Sequence, residues 1–337
     1  MEIKEAIQSV VDSKSLTQEQ AHNIALGIMS GNATDAQIGA LLIGLRLKGE
    51  TIDEITGFVQ AMREKATRIP CKNKNLVDTC GTGGDCSGTF NVSTISAIVA
   101  AGAGCSVAKH GNRSVSSQCG SADLFMKLGV NVEADPEKVG QCIDENGIGF
   151  LFAPKLHNAM KYAIGPRREM GVRTIFNILG PMTNPAGAKR QLLGVFDEGI
   201  MESMVTTLQK LGSEHVIIVH GQDGLDEITL TGKTMVYELK DGKIKKYDLK
   251  PADVGLETIS SDLLKGGDPD RNAEIALRIL EGKKGPERDF VLINAGAVIY
   301  VGGSADSIQN GIRKAKESID SGEALKRLDK LKKMTNE

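Results

Sequence analysis

NLVDTCGTGGDCSGTFNVSTISAIVAAGAG (residues 75–104) decides the fold. Its first six residues read as a short buried strand, and STISAIVAAGAG at its end reads as a helix. Between them lie Gly81, Gly83, Gly84 and Gly88. Glycine loses more chain entropy on folding than any other residue, so such a run needs a physical reason. A strand that passes through a glycine turn into a helix N-terminus supplies one. Main-chain N–H groups there approach an anion closely, and the start of the helix favours negative charge. Thr89, Asn91, Ser93 and Thr94 add polar groups where the helix begins, and Ser93 also offers an oxygen suited to a metal. The string is neither GxxxxGK(S/T) nor a clean GxGxxG. Alone it fits a structural turn as well as a phosphate cradle.

Working outward, the pattern repeats. CSVAKH (105–110), IGFLFAP (148–154), QLLGVFD (191–197) and EHVIIVHG (214–221) are short apolar runs separated by helical stretches. That alternation predicts a large α/β domain with a mostly parallel central sheet flanked by helices. TMVYELKDGKIKKYDL (234–249) instead alternates around Asp241-Gly242 and predicts a hairpin at the rim of the sheet. Before residue 70 the pattern is helical. Thr17 with Gln20, Thr34 with Gln37, and Thr51 with Glu54 are three N-terminal capping boxes, each followed by helical apolar spacing. Gly31 and Gly49 supply stops. Residues 1–70 therefore read as a small all-helical N-terminal domain. GEALKRLDKLKKM (322–334) predicts a solvated amphipathic closing helix.

The bulk chemistry excludes several classes. The 337 residues carry 41 Lys and Arg against 43 Asp and Glu, a net charge of −2 with no long basic run, which disfavours nucleic acid as a partner. No apolar segment is long enough to span a bilayer, and the start reads as acidic and amphipathic rather than as a signal peptide, so cytoplasmic residence is expected. The six cysteines form no CxxC pair and no zinc-like cluster, so free thiols are expected.

Three further stretches join the glycine loop. KHGNRSVSSQCGSAD (109–123) follows a strand and gathers Lys109, His110, Asn112, Arg113, Ser114, Ser116, Ser117 and Ser121. This predicts an anion cradle in which Lys109 is a mobile point charge and the serines give directed hydrogen bonds. GQDGLDEITL (221–230) places Asp226 beside Glu227 where the chain leaves a strand. Such a pair suits magnesium, which takes a few hard oxygens and bridges to phosphate. In GPRREMGVRTIFNILGPMTNP (165–185), one of Arg167, Arg168 and Arg173 is a candidate carboxylate clamp, while FNILGPMTNP reads as packed structure. Ligands of α/β proteins gather at the carboxyl ends of the strands, where the loop and the cradles fall.

These strings, in this order, closely resemble the anthranilate phosphoribosyltransferases of tryptophan biosynthesis, over nearly the whole chain. The resemblance implies transfer of a ribosyl phosphate from phosphoribosyl pyrophosphate to the amine of anthranilate, with up to two magnesium ions per monomer. It also implies a homodimer formed through the helical domain, which helices from about 156–185 complete, leaving 71–155 and 186–337 as the catalytic domain. By the same resemblance Gly81, Gly84, Asp85, Thr89, Asn91, Val92, Ser93 and Thr94 match the pyrophosphate-and-ribose loop. Lys109, His110, Gly111, Asn112, Arg113, Ser114, Val115, Ser116, Ser117 and Ser121 match the second cradle. Ser93, Asp226 and Glu227 match metal positions, and Gly81, Asn112 and Arg167, with His110 beside them, match the acceptor site. Lys109, Gly81 and Asp85 are the catalytic candidates, assisting departure of pyrophosphate. Cys86 and Cys119 depart from the commonest form of the motifs. Two alternatives remain at this point: a pyrimidine nucleoside phosphorylase, and a non-catalytic relative that binds nucleic acid.

Overall fold

The computed structural model describes residues 1–85, 87–114 and 118–337. Cys86, Val115, Ser116 and Ser117 lie outside the described residues. The chain opens with α1 (Ile3–Val11), α2 (Gln18–Met29), α3 (Asp35–Lys48) and α4 (Ile52–Lys65). All three expected capping boxes form. The Thr17, Thr34 and Thr51 hydroxyls accept from the N–H groups of Gln20, Gln37 and Glu54 at 3.2, 3.3 and 3.3 Å. A cap of this kind is worth about 1 kcal/mol. Glu54 does more than cap: fully buried, it also takes the Leu16 N–H at 2.9 Å and the Lys48 ammonium at 2.9 Å. Its capping geometry thereby locks the loop before α2 to the end of α3.

The strands are β1 (Leu76–Gly81), β2 (Ser106–Gly111), β3 (Ile148–Phe152), β4 (Arg190–Gly194), β5 (His215–Gly221), β6 (Thr234–Lys240) and β7 (Lys243–Leu249). Among the described residues they form one sheet in the order β3-β2-β1-β4-β5-β6-β7. The pairs from β3 to β5 are parallel, and β5-β6-β7 is antiparallel. The hairpin falls where Asp241-Gly242 placed it, with φ values of +51° and +71°, as a tight two-residue turn requires.

Helices cover both faces. They are α5 (Val92–Gly102), α6 (Ser121–Lys127), α7 (Pro136–Asn146), the short α8 (Ala153–Leu156), α9 (Lys161–Met170), the short α10 (Phe176–Leu179), α11 (Met201–Lys210), α12 (Pro269–Leu280), α13 (Pro286–Val301), α14 (Ile308–Asp320) and α15 (Glu323–Asn336). The apolar run of β5 is continuous because both its faces are buried. Ile217 and Val219 join the core under α5 and α13, while Val216 and Ile218 join the core shared by α11 and α2–α4. Ala163, Phe176 and Leu179, from α9 and α10, sit in that second core. The closing helix α15 buries Leu328 and Leu331 and keeps its lysines outward. Among the described residues no helix is long and apolar enough to cross a membrane.

In this order the chain runs outward in opposite directions from β1 and β4, so the crevice at their carboxyl ends is the topological switch point. The glycine loop leaves β1 there.

Candidate active site

Glycines make the crevice narrow enough for two loops to touch. A Cβ added at Gly81, the last residue of β1, would lie 2.5 Å from Asp226 Oδ2. One added at Gly194, the last residue of β4, would overlap the Asp226 backbone. The turn after β5 therefore lies directly against the ends of β1 and β4. From there Asp226 Oδ2 accepts the Gly83 N–H at 2.8 Å, and Glu227 accepts the backbone N–H of Ser93 in the first turn of α5. The structure thus brings Gly81, the glycine loop and Ser93 together with Asp226 and Glu227, more than a hundred residues further along the chain.

The electrostatics of this cluster suit a cation. Burial and the neighbouring Asp85 carboxylate push Asp226 up to about 7, against which the Gly83 N–H pulls the other way. Glu227 is raised well above the usual carboxylate range by burial and by Asp226, with Lys109 and the Ser93 N–H opposing. Carboxylates that raise one another in this way lack positive charge, and a divalent ion supplies it. Among the described residues no three of His, Cys, Asp and Glu form a ready-made metal cage. The donor set fits magnesium, which typically takes one or two protein carboxylates and completes its shell with water and phosphate oxygens.

Polar groups beside the cluster are left without partners. Asn91 donates Nδ2–H to the Cys119 carbonyl at 2.9 Å, joining the glycine loop to the second cradle, yet its buried Oδ1 has no hydrogen-bond partner. The buried Thr94 Oγ1 is likewise unpartnered. Buried polar atoms are normally satisfied. Thr89 Oγ1 lies 3.1 Å from Ser87 Oγ, and Asp85 accepts from the Ser87 hydroxyl at 2.7 Å, so the rim of the loop is held by its own side chains. Val92 is buried at the start of α5.

The second cradle corrects one expectation. Lys109 is a fixed charge and not a mobile one: it is 1 % exposed, and its ammonium donates to the Thr79 carbonyl at 2.6 Å. Its neighbour across the strands is Asp78, fully buried, which accepts the His110 N–H at 3.0 Å and the Asn184 amide at 2.8 Å. Asn184 also donates to the Ala108 carbonyl at 2.8 Å. This network ties the ends of β1 and β2 to the segment after α10. Beyond Gly111, the Asn112 side chain accepts the Arg113 N–H at 2.7 Å, and the Asn112 carbonyl accepts the Ser121 hydroxyl at 3.2 Å. Arg113 turns outward, 3.5 Å from Glu133 and over the Phe152 ring. The Ser114 N–H donates to Asp123 at 3.0 Å. The expectations for Val115, Ser116, Ser117 and Cys86 lie outside the described residues.

Toward the acceptor candidates, His110 and His157 face each other with ring centroids 5.1 Å apart. Burial, with the other imidazole adding to it, lowers His110 to about 3, and burial alone lowers His157 to about 4. Both are neutral at pH 7, and each has an unpartnered Nε2. His110 also bonds the Gly180 backbone. Gly180 follows α10, whose Phe176 ring lies 5.3 Å from the Arg167 guanidinium carbon. His110 and Arg167 are thus joined through the packed stretch 176–180.

Several of these groups were invisible to motif reasoning. Asp78 sits inside an apolar strand, where a lone polar residue was the available signal, and so does Gln191, whose side-chain amide donates to the Pro181 carbonyl at 2.5 Å. Asn184 lay in a stretch read as structure. Nothing in the local sequence marked His157 as a neighbour of His110.

The chain is similar to known proteins over nearly its whole length. Residues 73–325 match the glycosyl transferase family a/b domain, and residues 4–66 match the glycosyl transferase family helical bundle domain. An anthranilate phosphoribosyltransferase of Alkaliphilus metalliredigens is 52% identical over 335 residues, covering 99% of each chain. The crystal structure of the anthranilate phosphoribosyltransferase of Thermus thermophilus superposes with a TM-score of 0.94 at 42% identity, covering 98% of this chain and 99% of that one. The Saccharomyces cerevisiae enzyme in complex with phosphoribosyl pyrophosphate (PRPP) and Mg gives a TM-score of 0.89 at 28% identity, covering 99% and 98%. A structure of the same yeast enzyme in complex with 4-fluoroanthranilate covers 99% of this chain.

Proposed function

The chain belongs to the anthranilate phosphoribosyltransferase family, and we propose from that premise how its switch-point crevice carries out the reaction. The chain transfers the 5-phosphoribosyl group of PRPP to the amine of anthranilate and releases pyrophosphate. The observation that carries the site assignment is the meeting of Gly83, Ser93, Asp226 and Glu227 at the carboxyl ends of the sheet.

The amine of anthranilate is a weak nucleophile because its lone pair is shared with the ring. Help is therefore needed chiefly at the leaving group. We assign Gly81, Gly84 and Asp85 of the glycine loop, Thr89, and Asn91, Val92, Ser93 and Thr94 at the start of α5 to the pyrophosphate and ribose oxygens. Donors fixed in advance stabilise charge as it develops and lose nothing to reorganisation. Lys109, buried beneath both loops, acts as a standing positive charge behind the crevice. We assign residues 110–114 and Ser121 to the second wall. Ser93, Asp226 and Glu227 would hold magnesium, in keeping with the Mg-bound yeast enzyme; up to two ions fit our reading. When bound, magnesium neutralises charge that builds on the departing pyrophosphate.

For the acceptor we assign Gly81, His110, Asn112 and Arg167. The neutral imidazole of His110 leaves Arg167 as the cation for the carboxylate of anthranilate. Arg167→Ala is expected to raise KM for anthranilate about tenfold, with a smaller change in kcat, since one charge-assisted hydrogen bond is lost. Steady-state kinetics over both substrates checks this, and an unchanged KM for anthranilate removes Arg167 from the role. Coupled pyrophosphate detection tests the reaction itself: release must match anthranilate consumption one for one. Release of base from thymidine or uridine with phosphate would favour the phosphorylase reading instead.

We further assign residues 1–70 with 156–185 to a helical domain, and 71–155 with 186–337 to the catalytic domain. Exposed Val11, Leu47, Tyr162 and Ile164 on α1, α3 and α9 support a homodimer through the helical domain. Light scattering that gives the mass of one chain would oppose it. The pathway's charged substrates support a cytoplasmic location, which cell fractionation tests.

A further inference from the structure

Arg173 belongs to none of the groups assigned above. It follows α9 and is exposed, yet it is held on three sides. Its Nη2 donates to the Gly84 carbonyl at 2.5 Å. Its guanidinium carbon lies 3.8 Å from the centroid of the Phe196 ring. Its own carbonyl accepts a hydrogen bond from Arg46 of α3. The ring beneath it is rooted in the same loop: the Phe196 N–H donates to Thr82 Oγ1 at 3.1 Å, and the Thr82 N–H donates to the Gly194 carbonyl at 2.9 Å. Gly84 has φ of +79°, and a Cβ there would lie 2.9 Å from Arg173 Nη2, so only glycine permits this approach without strain.

We propose that Arg173 is a positioning residue that sets the orientation of the Gly84–Asp85 peptide for pyrophosphate, and so links the helical bundle to the glycine loop. The proposal rests on the reading of the crevice given above. In a trans peptide the carbonyl and the following N–H point in opposite directions. With the Gly84 carbonyl held toward Arg173, the Asp85 N–H is presented on the opposite side. Gly83 is already pinned by Asp226, so the loop is gripped at two consecutive residues from two directions. Arginine suits the task because its planar guanidinium stacks on a ring and donates in its own plane at once, which lysine does not do. A displacement of α3 relative to the sheet reaches the loop by way of two side chains in series, Arg46 and Arg173.

The test uses the full chain and titrates magnesium with inorganic pyrophosphate by calorimetry, beside steady-state kinetics and thermal unfolding. Arg173→Ala is expected to weaken pyrophosphate binding on the order of tenfold and to raise KM for PRPP to a similar degree. KM for anthranilate and Tm stay unchanged. Arg173→Lys recovers only a small part. Phe196→Leu weakens pyrophosphate binding, and the double variant is no weaker than Arg173→Ala alone, because Phe196 acts through the guanidinium. Unchanged pyrophosphate binding in Arg173→Ala overturns the proposal. So do additive losses in the double variant, or a rise in KM for both substrates together with a lower Tm. Pyrophosphate binding needs no turnover: a wild-type chain that binds it but consumes no anthranilate contradicts the proposed function and leaves the clamp standing.

Discussion

Replacing Asp226 and Glu227 together by alanine lowers kcat/KM on the order of 10³-fold or more and flattens the magnesium titration. The reasoning is electrostatic. Loss of one fixed transition-state donor typically costs on the order of 10²–10³ in rate, and here both carboxylates proposed for the ion are removed. Their raised proton affinities add a pH signature. Asp226 in the folded, metal-free chain titrates near 7, against about 4 in an unfolded chain. The folded state therefore holds this proton more tightly, and the associated stability is fully present below about pH 4 and is lost as pH rises through about 7. Magnesium selects the ionised form, so its stabilising effect grows over the same window. Thermal unfolding of the wild type should show a larger magnesium-induced rise in Tm at pH 8 than at pH 6. The double variant should show none at either pH. A wild-type magnesium titration retained by the double variant removes the metal assignment.

Gly194→Ala is the second large effect. An added methyl group usually stabilises a chain where it meets nothing, since glycine costs more entropy to order. At Gly194 it meets the Asp226 backbone at the carboxyl end of the central strand, and neither side can yield easily. Overpacking of this kind costs about 1–3 kcal/mol. The strain falls on the turn that places Asp226 against Gly83, so magnesium affinity should fall together with Tm. Gly27→Ala on α2 is the control: nothing lies within 4 Å of the new Cβ, and helix propensity alone predicts about 1 kcal/mol of stabilisation. Opposite signs for the same substitution tie the effect to the contact between the β4 end and the acid turn. A Gly194→Ala chain with wild-type Tm and magnesium affinity contradicts the account.

Much of the fold was legible because local signals agreed with one another. Thr17, Thr34 and Thr51 mark three helix starts by a mechanism that acts within four residues. Asp241-Gly242 marks the hairpin for the same reason, since positive φ is a local demand. The β5 run VIIV identified a buried strand, although not its neighbours. What stayed hidden depends on approach between distant segments. Lys109 read as a mobile cation because its residue type is usually solvated, and only the closeness of Thr79 and Asp78 across two strands makes it a fixed one. Gly194 carried no signal, for its role is to leave space for residue 226. Arg173 was one of three candidate arginines, and the Phe196 face that singles it out comes 23 residues later, just past the end of β4. The resemblance supplied the order of the motifs. The geometry adds which of them touch.

Our proposal places the joining of PRPP to anthranilate, with magnesium, in the crevice between β1 and β4. Anthranilate fluoresces, so its consumption can be followed directly. The fluorescence is expected to fall only when chain, PRPP and magnesium are all present, and omission of any one of them is expected to stop the fall. An unchanged signal in the complete mixture, with the chain folded, contradicts the proposal.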